Sequence, residues 1–186
     1  MTKEEYKLLK KTILFVDEVN KGKSPHFATT LKWVKKIKPN ADVSLQIAAY
    51  SHDIERPAQK TSTEIHDKKY GFMEKSYMHE HQTTGGKIMA TFLKQNNAEQ
   101  KIINKVKHLI ENHEYGGDKE SNILKDADSA SFFEKNIPHF LDRFPDFSKK
   151  LIQDKFDFMF NRITNKKVKK SIKPLYLKAT NKLIKL

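Results

Sequence analysis

Two ionisable side chains stand side by side at the end of an otherwise apolar segment. The segment AAYSHDIERP begins at Ala48 and places His52 next to Asp53. Burying an imidazole and a carboxylate is unfavourable unless both are paired, and a divalent cation that binds both removes that penalty. The partial negative charge at the C-terminal end of a helix favours a cation at the same place. The pair therefore indicates a metal site, a buried cationic partner, or a helix end at which the two side chains bond only each other.

Four more side chains could complete a metal site, because each lies on the apolar face of its own predicted helix. These residues are His26, His81, His113 and Asp128. Gly85 lies on the same face as His81 and would permit the close approach of another helix. The chain has no cysteine, so a metal must be held by His, Asp and Glu. Such ligands favour Mn²⁺, Fe²⁺, Co²⁺, Ni²⁺ or Zn²⁺, or Mg²⁺ with more water in its shell.

The elements that carry these residues are predicted to be helices, so the chain is predicted to be all-α. Apolar residues recur at intervals of three and four, and no Asn-Gly or Asp-Gly hairpin signal is present. Helices are predicted over about residues 3–20, 25–38, 41–54, 62–77, 80–95, 98–113, 121–136, 146–164 and 166–184. Ser24 and Asn40 are the predicted N-caps of the second and third helices, with Pro25 in the first turn. Residues 41–54 are apolar nearly all round, which predicts a buried helix.

The remaining histidines are predicted to lie at the surface or in loops. His108 projects away from the apolar stripe of its helix, and His79 lies off the face of His81. His66 and His139 stand beside polar residues or a proline. These four are therefore not counted as ligands.

The ordered series of inward residues resembles the HD-domain superfamily of metal-dependent phosphohydrolases. The series is His26, then His52-Asp53, then His81 four residues before Gly85, then His113 in LIENHE, then Asp128 in LKDADS. The resemblance covers residues 20–135 and implies an HD-domain-like helical bundle with flanking N- and C-terminal helices. The length of 186 residues predicts one domain, residues 1–186, in which residues 20–135 would be the metal-binding core and residues 136–186 a C-terminal helical extension.

The resemblance also implies roles for these residues. The metal ligands of the family match His26, His52, Asp53 and Asp128. Asp53 would bridge two ions, and Asp126 competes with Asp128 for the last ligand position. His81 and His113 match positions that bind a second metal in some members and contact phosphate or transfer protons in others. The number of metal ions stays open, and Asp53, His81 and His113 are the catalytic candidates.

Two departures from the family pattern concern mechanism. The residues after Asp53 read IER where many members have Ile-Gly-Lys. Arg56 stands where some nucleotide-hydrolysing members have an acid, and Glu55 lies one residue earlier, so no water-activating acid is assigned. The chain reads EYGG after His113, without the Gly-Tyr-Pro run of the cyclic dinucleotide phosphodiesterase branch, which disfavours that branch.

These features predict an enzyme in which metal-activated water attacks a small phosphate ester or anhydride, with a nucleotide as the leading substrate. A bound divalent ion lowers the pKa of water and neutralises phosphate oxygens. Arg56, Lys125 and Arg162 are candidates for binding the phosphate, and the alternative for each is a solvated charge or a surface ion pair. A phosphodiesterase acting on a cyclic nucleotide or an oligonucleotide is the alternative enzyme.

The overall charge supports a third hypothesis from another class. Thirty-six Lys and Arg against 23 Asp and Glu give a formal charge of +13, which favours anionic partners, including nucleic acid. A basic helical module would then bind nucleic acid without catalysis, although no binding motif is present. The N-terminal segment lacks a signal peptide pattern and no run approaches membrane-spanning length, which predicts a cytoplasmic protein without a membrane partner. The oligomeric state stays open.

Overall fold

The computed structural model describes residues 1–56 and 69–186, which form helices and contain no strand. The helices in these two ranges are α1 (Lys3–Val19), α2 (Pro25–Ile37), α3 (Val43–Ser51), α4 (Lys75–Gln95), α5 (Gln100–Glu111), α6 (Lys119–Lys135), α7 (Ile137–Leu141), α8 (Lys149–Asn161) and α9 (Lys166–Lys185). The all-α prediction is confirmed. No helix in these ranges is long and apolar enough to cross a membrane.

Helix α3 is the centre of the bundle, as its composition predicts. All nine of its residues are buried, and it packs against α1, α2, α5 and α6. The helix is shorter than the predicted 41–54. It begins one residue after Asp42, whose carboxylate accepts a hydrogen bond from the amide of Leu45 at 3.0 Å. The predicted N-cap, Asn40, is therefore wrong, because the carboxylate two residues later reaches the free amides of the first turn.

The chain leaves α3 in tight turns that carry the His-Asp pair. The amide of Ile54 donates to the carbonyl of Ser51 at 3.0 Å, and the amide of Arg56 donates to that of Asp53 at 3.0 Å. These bonds span three residues rather than four, so the helix tightens and ends here. His52 and Asp53 are thereby presented at the end of a fully buried helix.

The boundary predicted between two helices at 77–80 is wrong. Residues 71–74 are not helical, and α4 runs unbroken from Lys75 to Gln95. Glu74 is its N-cap, with a carboxylate that accepts from the amides of Ser76 at 3.0 Å and Tyr77 at 2.8 Å. Residues 62–68 of the predicted helix 62–77 lie outside the described residues.

Gly85 brings α4 into close contact with the end of α3 and with α5, as predicted. A Cβ atom at this position would lie 3.3 Å from Cγ2 of Ile110 and 3.4 Å from the carbonyl oxygen of His52. The missing side chain therefore sets the distance between His81, on α4, and the turn that carries His52 and Asp53.

The C-terminal helices pack on α6, which also contacts α2, α3 and α5. Helix α6 contacts α7, α8 and α9, so residues 136–186 cover one side of the same core. The short helix α7 was not predicted, and Pro138 lies in its first turn. At the start of a helix a proline loses no intrahelical hydrogen bond. Ser148 caps α8, which is shorter at both ends than the predicted 146–164.

Candidate metal centre

His52 and His113 each stand just after a helix, and the helix end orients their rings. Nδ1 of His52 lies 3.2 Å from the carbonyl oxygen of Ala49. His113 follows α5 by two residues, and its Nδ1 lies 2.7 Å from the carbonyl oxygen of Ile110. A carbonyl oxygen can only accept, so Nδ1 carries the proton in both rings. The lone pair of each Nε2 is then available to a metal, as in metal-binding histidines.

Ser131 on α6 fixes the tautomer of His26 in the same sense. The Ser131 hydroxyl donates to the carbonyl oxygen of His26 at 2.7 Å, and its oxygen lies 2.9 Å from Nδ1 of the same residue. Because the only hydroxyl proton goes to the carbonyl, the oxygen must accept from Nδ1–H. Nε2 of His26 therefore also presents a lone pair.

His81 is held by a carboxylate instead of a carbonyl or a hydroxyl. Its Nδ1 contacts Glu55, which is fully buried. Burial and Arg56 lower the pKa of His81, but the carboxylates of Asp53 and Glu55 outweigh them and raise it. A metal at Nε2 would replace a proton there, while Glu55 continues to accept from Nδ1. No role was assigned to Glu55 from the sequence.

The first group of potential ligands joins α2, the end of α3 and α6. Nε2 of His26 lies 3.2 Å from Nε2 of His52, although both atoms carry lone pairs. Oδ1 of Asp128 lies 3.0 Å from the first nitrogen and 3.3 Å from the second. Lone pairs and a carboxylate converge here without a donor between them, so the position suits a cation.

The second group lies on the other side of Asp53. Its Oδ1 is 3.0 Å from Nε2 of His81 and 3.7 Å from Nε2 of His113. Both nitrogens are buried and make no hydrogen bond with the described residues. Oδ2 of Asp53 faces the first group, 3.9 Å from His26 and 3.7 Å from His52. The residues therefore fit a divalent metal in either group, and Asp53 connects the two.

Asp53 is ionised at neutral pH despite burial. Burial raises the pKa of its carboxyl, but His52, His113, His81 and Arg56 outweigh that effect and hold it well below its usual range. Asp53 thus places anionic oxygens between four imidazoles, where they could bind a cation.

Arg162 and Glu114 surround Asp128. The guanidinium of Arg162 contacts both carboxylates and donates to the hydroxyl of Ser129 at 2.7 Å. Burial raises the pKa values of the two carboxyls, but Arg162 more than compensates, lowering that of Glu114 to about 2 and that of Asp128 well below its usual range. Glu114 also forms a third possible ligand group with His113 and Asp128. The sequence predicts Arg162 as a candidate for binding phosphate, whereas in the structure its guanidinium binds the carboxylates of Glu114 and Asp128.

The two aspartates of ADS have different partners. Asp126 accepts hydrogen bonds from the amides of Thr164 at 2.9 Å and Asn165 at 2.7 Å, so it holds the start of α9 and does not face the histidines. Asp128 is the aspartate that lies beside His26 and His52. Lys125, a predicted phosphate ligand, points elsewhere: its ammonium donates to Asn122 at 3.1 Å, and it does not line the cavity beside the site.

A cavity of about 270 Å³ opens onto the first group, where Asp53, Asp128 and His26 form part of its wall. Of the predicted phosphate-binding residues, Arg56 lines this cavity. Its guanidinium lies 3.7 Å from both Asp53 and Glu55. Lys155, on α8, also lines the cavity and was not predicted, because its neighbours along the chain suggest only a core helix.

Three of the four histidines predicted to lie outside the site belong to the described residues, and none of the three is part of these ligand groups. His79 and His108 are exposed, as predicted, and His108 contacts Asp118 at 2.8 Å. His139 is also exposed, but it belongs to α7 and lines the cavity. His66 lies outside the described residues.

Comparison with known proteins identifies the family of the chain without assigning it a chemistry. No curated protein and no solved structure matches it. One family model, described as Domain of unknown function (DUF4202), matches residues 11–173. That match extends from α1 into α9 and includes every residue of both ligand groups. The chain therefore belongs to the family described as Domain of unknown function (DUF4202).

Proposed function

We propose that this protein is a metal-dependent phosphohydrolase of the HD type that acts on a small phosphate ester or anhydride, with a nucleotide as the leading substrate class. The observation that carries the proposal is the pair of ligand groups connected by Asp53. His26, His52 and Asp128 would hold one divalent ion, because their ligand atoms lie 3.0–3.3 Å apart. His81 and His113 would hold another, and Asp53 belongs to a possible ligand group with each pair of histidines. A divalent ion bound there would supply a water of lowered pKa and positive charge for phosphate oxygens.

The residues around the ligands support the same chemistry. Asp53, Asp128 and Glu114 carry negative charge that a divalent ion neutralises. The side chain of Arg56 makes no hydrogen bond with the described residues, and its nearest carboxylate oxygens are 3.7 Å away. Its donors are therefore available to a phosphate in the cavity, while its charge adds to the effect of the histidines in lowering the pKa of Asp53.

The test compares the wild-type protein with Asp53→Ala. We expect the wild type, purified without chelator, to carry one or two divalent ions per chain and to release phosphate from nucleoside phosphates or simple phosphate esters. Asp53→Ala should lose the metal and the activity together, because Asp53 serves both ligand groups. Metal content is measured by plasma mass spectrometry and phosphate release by a colorimetric assay.

Asp154→Ala is the matched control, because Asp154 lies on α8 and pairs with the exposed Lys150 at 2.7 Å. It should keep both metal and activity. Undiminished phosphate release by Asp53→Ala would refute the proposal. Comparison of monoester with diester substrates at equal metal concentration separates a phosphomonoesterase from a phosphodiesterase.

Helix α9 favours a second candidate function, binding of nucleic acid. The helix KKVKKSIKPLYLKATNKLIK contains eight lysines and no acidic residue, so much of the excess positive charge lies on one element. Binding of single-stranded RNA that weakens steeply with salt, and that is unchanged in Asp53→Ala, would favour this function over catalysis.

A further inference from the structure

One cation of the cavity wall has no anionic partner. Lys155 lines the cavity together with Asp53, Asp128 and Arg56. Within residues 1–56 and 69–186, no carboxylate lies within 4.0 Å of its ammonium, and the ammonium makes no hydrogen bond. The ammonium lies over the ring of Phe158, 5.5 Å from the ring centroid. A lysine that is partly buried without a partner is unfavourable for folding.

The position of Lys155 on α8 directs it at the metal centre. Ile152 and Phe156 anchor the helix in the core. Lys155 and Met159, four residues apart, both line the cavity, and Arg162, three residues further on, contacts Asp128. Residues at this spacing share one face of a helix, so a single face of α8 meets the ligands and the cavity.

The surrounding charges leave Lys155 available to a ligand. Burial lowers its pKa, and Arg162 and Arg56 lower it further, while Glu114 and Asp128 oppose them. Glu114 and Asp128 are already bound by Arg162. An anion that enters the cavity would therefore be the group that pairs with Lys155.

We propose that Lys155 is a substrate-binding residue that contacts anionic phosphate oxygens in this cavity. The identity of the anion rests on the proposed function, but the binding does not require turnover. A phosphate held by Lys155 and Arg56 would lie beside Asp53 and Asp128, next to the metal ligands. The C-terminal extension thus supplies part of the substrate site.

The test is calorimetric titration of inorganic phosphate into the full chain, with and without divalent metal. Lys155→Met should weaken phosphate binding about 10- to 100-fold, as expected for the loss of a hydrogen bond to a charged group. Lys155→Arg should stay within a few-fold of wild type because it keeps the charge. Lys150→Met is the matched control, since Lys150 is an exposed lysine on the same helix, and it should bind phosphate like the wild type.

Metal content and melting temperature separate this role from a structural one. Lys155→Met and Lys155→Gln should keep the metal and melt at the same temperature as wild type or higher, because no ion pair or hydrogen bond with the described residues is lost. A drop of several degrees in both variants would make the lysine structural and overturn the proposal. A phosphate affinity of Lys155→Met within twofold of wild type would also overturn the proposal. The same holds if the wild type binds no phosphate either with or without divalent metal.

These outcomes are separate from those of the proposed function. If no phosphate ester is hydrolysed but phosphate binding still depends on Lys155, the binding proposal holds and the hydrolase proposal fails. If esters are hydrolysed and Lys155→Met changes neither KM nor phosphate affinity, the hydrolase proposal holds and this one fails.

Discussion

Four histidines point the same ring nitrogen, Nε2, into the site, and different groups hold the opposite nitrogen of each ring. Backbone carbonyls hold His52 and His113, so their orientation follows from the helix ends. Side chains hold the other two rings, Ser131 for His26 and Glu55 for His81. Because each side chain serves one ligand group, mutation can weaken the two groups separately.

We expect Ser131→Ala to weaken the first ion and Glu55→Gln to weaken the second. Without Ser131, His26 loses the acceptor that fixes its tautomer; without the Glu55 carboxylate, His81 loses its charge-assisted partner. Removal of such partners lowers metal affinity about 10- to 100-fold. The measurement is a titration of metal-free protein with Mn²⁺ or Zn²⁺, followed by calorimetry, which should show one weakened step in each variant.

Ser171→Ala is the control for this pair, because Ser171 is exposed on α9 and its hydroxyl donates to the carbonyl of Lys167, its one hydrogen-bond partner among the described residues. The two metal-binding steps in the titration of Ser171→Ala should match those of the wild type. Equal weakening of both steps by either variant would show that the two groups bind as one unit, and an unchanged titration would remove the roles assigned to Ser131 and Glu55.

At the scale of elements, Gly85 decides how closely α4 approaches the turn that carries the His-Asp pair. We expect Gly85→Val to destabilise the fold by about 1–3 kcal/mol, because its branched side chain overpacks the contact with Ile110 and the carbonyl of His52. The displacement also separates His81 from Asp53. Thermal melting and metal titration should therefore both change, with a melting temperature several degrees lower.

Lys87→Val is the matched control on the same helix, because it adds the same β-branched residue at an exposed position. Valine has a higher helix propensity than glycine and a lower one than lysine, so a larger loss of stability in Gly85→Val must come from the close contact. Lys87→Val should melt near the wild type and bind metal normally. A Gly85→Val variant with wild-type metal affinity would mean that the approach of α4 does not set the ligand geometry.

Periodicity predicted those parts of the site that depend on a single helix. His26, His81 and Asp128 each lie on an apolar face, and all three are buried. It could not assign roles to Glu55 and Glu114, because these depend on contacts with His81 and Arg162 that are distant along the chain. The same distant contacts explain why Arg162, predicted to bind phosphate, instead binds the carboxylates of Glu114 and Asp128.

Capping residues predicted a helix boundary correctly only where a single cap candidate was present. Ser24 with Pro25 was predicted correctly, since both act on the same first turn. At the start of α3 the predicted cap was Asn40, but Asp42, two residues later, is the N-cap, because its carboxylate accepts from the amide of Leu45. Around Glu74 the helical pattern continues through residues that the structure leaves out of helix, so the boundary was misplaced.

At the scale of the whole molecule, residues 136–186 form part of the core and of the site. Phe132 packs on Phe140 and Phe156 with ring centroids 5.1 and 6.1 Å apart, and Phe133 packs on Tyr176 at 6.0 Å. Asp126 holds the start of α9 through two backbone amides. The region of HD resemblance, residues 20–135, thus leaves an apolar face of α6 that only the C-terminal helices cover among the described residues.

We therefore expect a chain that ends after Lys135 to fail to fold. It would expose Phe132 and Phe133 and leave Asp128 without the guanidinium of Arg162, while both ligand groups would remain in the sequence. The measurement is far-UV circular dichroism with thermal melting, alongside metal content. A cooperative melt and wild-type metal content in the shortened chain would show that the C-terminal helices are a separable appendage. Loss of both would mean that the metal centre depends on them, because they bury the face of α6 that positions Asp128.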